Sequence, residues 1–299
     1  MLPYLKILRP VNCLMSVIAV LIGVFLITKI PPIAALPAAI AAFLIAGAGN
    51  VINDFVDIEA DKINRPKRPI PSGKIKPKTA LGYSAALFAV GICLSVFTNW
   101  LALVIAAANS FLLIVYSTHL KNRMFVGNAV VSYLVGSTFL FGSAAVLDLS
   151  NPNLLILPLL LMLLASLSNF SREVVKTLED LEGDKLAFIK KAVAKVKGKV
   201  LEKFGVKSGG VRFKYSIKFT TGVAIAALLV VIIISPLPYL LKILGLSYLV
   251  VLIPTDLAFI ASIYTLVSSK NKKRFSKSSK LIKVGMFLGL IAYIVGITF

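Results

Sequence analysis

Residues 34–61 read AALPAAIAAFLIAGAGNVINDFVDIEAD, and this stretch decides the fold. Its first twenty residues, through Asn53, carry no charge. That is the length a helix needs to cross a hydrocarbon core of about 30 Å. Four acids then arrive together, Asp54, Asp57, Glu59 and Asp61. A second stretch has the same design: an apolar run from about residue 153 ends in SREVVKTLEDLEGD (171–184), which carries Glu173, Glu179, Asp180, Glu182 and Asp184. Nine of the chain's twelve acids fall in these two places. Each place is the end of an apolar helix.

Working outward, nine stretches are long and apolar enough to span a bilayer: about 11–29, 34–56, 79–97, 100–118, 126–147, 153–173, 216–235, 245–267 and 281–298. The 299 residues are 58% hydrophobic with a mean hydropathy of +0.92, well above the roughly 45–50% apolar content of a soluble domain. The expected fold is all-α, a polytopic bundle of nine transmembrane helices forming one domain over residues 1–299. The acidic helices are the second and sixth, four spans apart, which hints at a duplicated half. The apolar run that begins near Val11 has no small-residue cleavage site after it and reads as a retained first span. Cys13 and Cys93 lie in apolar runs without metal-ligand spacing, which leaves no disulfide framework.

A net charge of +21 would suggest nucleic acid in a soluble protein. Its placement assigns it to orientation instead, and no nucleic acid is expected. With nine spans, 31 of the 33 lysines and arginines lie on the side of the N-terminus, and only Lys29 and Lys242 lie opposite. The positive-inside rule makes that side cytoplasmic and the C-terminus extracytoplasmic, in a multi-pass cell-membrane protein whose two acidic clusters face the cytoplasm. Two basic loops, about 62–78 and 185–215, lie on that side. The second alternates lysines with Leu, Ala, Phe, Ile and Val, as a helix lying on anionic headgroups does, or a solvated helical hairpin.

At about 100° per residue, Asn50, Asn53, Asp54, Asp57 and Asp61 share one helical face, and Glu173, Thr177, Asp180 and Asp184 share another. Like charges four residues apart repel, and carboxylates at a helix C-terminus oppose its dipole. A bound multivalent cation removes both penalties. Mg²⁺ suits such a site, since it takes hard oxygen ligands and uses one or two carboxylates together with substrate phosphates. The loop INRPKRPIPSGK (63–74) adds Arg65, Lys67 and Arg68 for the same anion. The bland alternative is a pair of solvated helix ends with basic residues serving only topology. Two phased clusters on one side of a membrane argue against it.

These residues resemble the UbiA superfamily of intramembrane prenyltransferases. Asn53, Asp54, Asp57 and Asp61 match its NDxxDxxxD signature, and Asp180 and Asp184 match its DxxxD. RPKRPIPSG (65–73), Leu8-Arg9-Pro10 and Tyr116-Ser117 followed by Lys121 are also family-like. Within the superfamily, LKILRPVNCLMSVIAVLIG (5–23) and EADKINRPKRPIPSG (59–73) look most like the archaeal branch that makes digeranylgeranylglyceryl phosphate. Two departures stand out. The family's short Thr-x-Pro loop after DxxxD is replaced by the basic segment from Lys185. Where many relatives carry a further acid or Tyr before DxxxD, this chain has Glu173, Lys176 and Thr177.

The resemblance implies nine helices around a central cavity, capped on the cytoplasmic side by the two loops after the aspartate helices (about 62–78 and 185–215) and opening sideways to lipid. It implies an isoprenoid diphosphate donor held by two or more Mg²⁺ ions on Asn53, Asp54, Asp57, Asp61, Asp180 and Asp184. Asn50, Asn53, Arg65, Lys67, Arg68, Tyr116 and Lys121 are the candidates for binding the diphosphate. Lys121 joins the five aspartates as a candidate catalytic residue, and Tyr116 is a candidate to face the allylic cation. The implied reaction transfers a prenyl, most naturally geranylgeranyl, group to a lipophilic acceptor, geranylgeranylglyceryl phosphate, in ether-lipid synthesis. Two alternatives stay open here: an aromatic prenyltransferase acting on hydroxybenzoate or a quinone precursor, and a cation transporter that uses the aspartates as its ion site.

Overall fold

A computed structural model describes residues 3–28, 32–33, 35–121, 123–196, 216–268 and 273–299; the side chains of residues 60, 63, 64 and 181–196 lie outside that description. Among the described residues nine helices are long and apolar enough to cross a membrane. We number them α1 (Pro10–Ile27), α2 (Ala35–Val56), α3 (Pro77–Val96), α4 (Trp100–Val115), α5 (Met124–Ala145), α6 (Ile156–Val196), α7 (Ile217–Ile234), α8 (Leu246–Ser268) and α9 (Arg274–Thr298). Each overlaps one of the nine expected spans.

Local chemistry sets the boundaries. Pro10 and Pro77 open α1 and α3, where a missing N–H costs nothing. Asn99 ends the three-residue α3–α4 connection and caps α4 by accepting from the Ala102 amide at 2.9 Å. Ser216 caps α7 by accepting from the Phe219 amide at 3.1 Å. The largest boundary differences lie on the basic side. α9 begins at Arg274, because RFSKSSK has adequate helix propensity but no apolar signal. α6 likewise runs on to Val196 as a single helix. The expected basic segment 185–215 is therefore helical in backbone to residue 196; residues 197–215 lie outside the description.

Helices α1 and α5 cross at the middle of the bundle, α2 packs on α1 and α3, and α6 packs on α5 and α7. The two acid-bearing helices thus hold matching positions about the α1–α5 pair. Their crossing requires glycine. A Cβ on Gly142 would stand 2.1 Å from the Val20 carbonyl oxygen, and one on Gly23 would stand 2.0 Å from that of Phe139. Ser143 Oγ donates to the Gly23 carbonyl at 2.6 Å. Small residues that let backbones touch are the usual means of joining helices in lipid, where no hydrophobic drive exists between them. Ala38, Ala41, Ala42 and Ala48 serve α2 in the same way, all buried against neighbouring helices.

The first basic loop is anchored. Ile70 and Ile75 are buried with Ile7, Leu8, Cys13 and Val51, so the loop folds back onto the start of α1 and the end of α2. Its turn uses Gly73 at φ 74°, a left-handed conformation that glycine adopts without cost. This anchoring brings Arg68 to the carboxylates.

Candidate active site

Helix α2 ends at Val56. Asp57 forms the joint to a short helix, Ile58–Asn64, and the Asp61 amide still donates to the Asp57 carbonyl at 2.8 Å. Helical phase is therefore nearly kept across the joint, and the NDxxDxxxD side chains divide into two pairs. Asp54 and Asp61 share Arg68; its Nη1 donates to Asp54 at 3.0 Å and also pairs with Asp61. Asn53 and Asp57 share Lys121, whose Nζ donates to the Asn53 Oδ1 at 3.1 Å and pairs with Asp57. Asp54 and Asp61 are buried, while Asp57 and Lys121 are half-buried.

Lys121 reaches α2 because α4 does not end as a regular helix. Its last turn, Tyr116–Leu120, is a π turn closed by the Lys121 amide donating to the Tyr116 carbonyl at 2.9 Å. The wider turn re-aims the following residue, as π turns do at functional sites. Tyr116 lines the central cavity, and its hydroxyl lies within electrostatic reach of both Asp57 and Glu173.

Sequence reasoning left Arg9 without a role. Its guanidinium pairs with Asp54, and its backbone is left-handed at φ 54°, ψ 66°, an uncommon conformation for a residue with a Cβ. Neighbours hold the strain in place: Asn50 Nδ2 donates to the Leu8 carbonyl at 2.8 Å, and Cys13 Sγ donates to the same oxygen at 3.1 Å. Asn50, expected at the diphosphate, thus also positions Arg9. The available signal was a charge set immediately before a proline-led apolar span.

A cavity of about 880 Å³ runs through the bundle. Asn50 and Asn53 of α2, Tyr116 of α4 and Asn169, Glu173 and Lys176 of α6 line its polar end. Ile45, Leu134, Phe139, Leu161 and Leu252 line its body. Met15 and Ile18 of α1 and Phe287 of α9 both line the cavity and are exposed outside it. Helices α1 and α9 touch only lightly, so the cavity opens sideways between them.

The other expected residues lie elsewhere. Arg65 and Lys67 are exposed and, with Lys6, border a separate pocket of about 350 Å³ on the surface. Asp180 is exposed one turn beyond Thr177, and the cavity lining on α6 ends at Lys176. Asp184 lies on the helical backbone of α6, and its side chain is outside the description. Among the described residues no three acidic, histidine or cysteine side chains gather into a metal-ready group. Mg²⁺ needs only one or two carboxylates beside phosphate and water, and each α2 pair supplies that hard-oxygen chemistry.

The UbiA prenyltransferase family model matches residues 16–291. The chain belongs to the UbiA prenyltransferase family. Membership makes it a prenyltransferase and removes the cation-transporter reading. Among its relatives in the family is the digeranylgeranylglyceryl phosphate synthase of Methanopyrus kandleri, 37% identical over 97% of this chain and 97% of that one. A solved structure described as giving insights into digeranylgeranylglyceryl phosphate synthase in membranes is 37% identical, with a TM-score of 0.81 over 99% of this chain and 97% of the other. A UbiA homologue from Archaeoglobus fulgidus bound to geranyl diphosphate and Mg²⁺ is 16% identical, with a TM-score of 0.61 over 98% of this chain and 100% of that one. That likeness is one of fold.

Proposed function

We propose that this UbiA enzyme transfers a geranylgeranyl group from geranylgeranyl diphosphate to geranylgeranylglyceryl phosphate, facing the cytoplasm. The observation that carries the reading is one cavity whose polar end is lined by Asn50, Asn53 and Glu173, with the α2 carboxylates adjoining it through the Asn53–Lys121–Asp57 contacts, and whose long apolar body is open to lipid between α1 and α9. That shape fits a donor with a charged head and a greasy tail. Relatives that bear the synthase's name across nearly their whole length supply the acceptor class.

Asn53, Asp54, Asp57 and Asp61, with Asp180 and Asp184 from α6, would hold two or more Mg²⁺ ions; the A. fulgidus homologue bound to geranyl diphosphate and Mg²⁺ supports the use of that metal. When bound, the metal supplies charge neutralisation of the diphosphate leaving group. The chain's own cations act beside it. Arg68 and Lys121, now on carboxylates, turn toward the diphosphate as C1–O cleavage leaves negative charge there, an electrostatic role worth most in a water-poor site. Arg65 and Lys67 meet the diphosphate at the surface. The apolar cavity body excludes water from the allylic cation at C1. Tyr116 presents its ring to that cation, and the acceptor hydroxyl attacks C1 and loses its proton.

The test is product formation by the purified protein, with geranylgeranyl diphosphate as donor and geranylgeranylglyceryl phosphate or hydroxybenzoate as acceptor. The expected result is pyrophosphate release with the lipid acceptor only, abolished by EDTA and restored by added Mg²⁺. Prenylated hydroxybenzoate would favour the aromatic reading.

A further inference from the structure

The two sides of the cavity's polar end differ in charge. On the α2 side the lining is neutral, Asn50 and Asn53, and the carboxylates Asp54, Asp57 and Asp61, which do not line the cavity, are matched by Arg9, Arg68 and Lys121. Facing the cavity from α6 and α9 are Arg172, Lys176 and Lys283 against a single carboxylate, Glu173. Glu173 accepts from Arg172 Nη1 at 2.8 Å and from Lys176 Nζ at 3.4 Å. Arg172 Nε is buried without a hydrogen-bond partner. Lys283 is exposed to the cavity, and no carboxylate among the described residues pairs with it. Among the residues that line this wall, three cations and one anion leave about two positive charges, an arrangement suited to a dianion.

We infer that Arg172, Lys176 and Lys283 form the seat for the phosphate of the acceptor. This rests on the proposed function and adds to it the determinant of acceptor class. A phosphate monoester carries about −1.5 to −2 at pH 7, which matches the surplus on this wall; a benzoate carries half of that. Geometry agrees. Glycerol has three carbons, so the free hydroxyl of an ether-linked glyceryl phosphate lies at most two carbons from the one that bears phosphate. The phosphate seat must therefore share the chamber with the donor's diphosphate, as the α6 wall does with Asn53. The gap beside Lys283 admits the acceptor's chain from the bilayer. If Lys283 served only as an interfacial anchor, its charge would not affect substrate affinity.

The experiment uses the full chain in lipid nanodiscs, with KM measured separately for donor and acceptor. Lys283→Gln and Arg172→Gln should each raise the acceptor KM by about tenfold or more, leave the donor KM within twofold, and be partly rescued by Lys283→Arg and Arg172→Lys. With geranylgeranylglycerol, which lacks the phosphate, wild type and Lys283→Gln should be equally slow. An unchanged acceptor KM, an equal rise in donor KM, or the same loss with both acceptors would overturn the inference while leaving the function intact. A wild-type protein that does not prenylate geranylgeranylglyceryl phosphate would end the functional reading, and the seat with it.

Discussion

Asp54 and Asp57 sit three residues apart and carry different burdens. Asp54 is the buried partner of two arginines. Asp54→Asn should lower stability by about 1–3 kcal/mol, because it strips charge from a buried, doubly hydrogen-bonded group; a lower midpoint in detergent melting, together with lost activity, would show it. Asp57 is half-exposed and meets one lysine. Asp57→Asn should leave the melting midpoint nearly unchanged while kcat falls by about a hundredfold or more, as single-turnover assays at saturating Mg²⁺ would reveal. Sequence phase had placed both aspartates on one face. It could not show the split, because sharing out the aspartates depends on where Arg68 and Lys121 arrive from other parts of the chain. The role of Arg9 was hidden for the same reason: its partner Asp54 is 45 positions away.

At the scale of the element, the crossing of α1 and α5 offers the sharpest test. Any side chain at Gly142 meets the Val20 backbone rather than a movable group. Gly142→Val should cost about 1–3 kcal/mol or more through overpacking, read as reduced yield and a lower melting midpoint. Gly82→Val, where nothing lies within 4 Å of the added Cβ, should be tolerated far better. Hydropathy made the nine spans legible because lipid imposes one length on each of them. It was silent where helices leave the bilayer: the polar opening turns of α9 and the continuation of α6 carry no apolar signal. The π turn at Tyr116–Leu120 was equally invisible, since it depends on packing.

For the molecule as a whole, orientation is the property the sequence argues most directly, through its lysines and arginines. With Cys93 replaced by Ser, a cysteine placed at Ser150 should react with an impermeant maleimide on intact cells, and one placed at Ser72 should react only after permeabilisation. The opposite pattern would invert the assigned topology. The cavity itself was foreseeable only as something two acidic helix ends must share. Its second charged wall was not, because Arg172, Lys176 and Lys283 read in sequence as ordinary topology charges.

The gap between α1 and α9 has a thermodynamic corollary. A chain of about twenty carbons that had to pass through water would face a barrier on the order of 15 kcal/mol, at roughly 0.8 kcal/mol for each methylene, slowing turnover beyond use. Entry through the side wall keeps that chain in hydrocarbon from bilayer to binding site. Only the headgroup has to change its surroundings, so catalysis should respond to the fluidity and thickness of the host membrane more than to the aqueous solubility of either substrate.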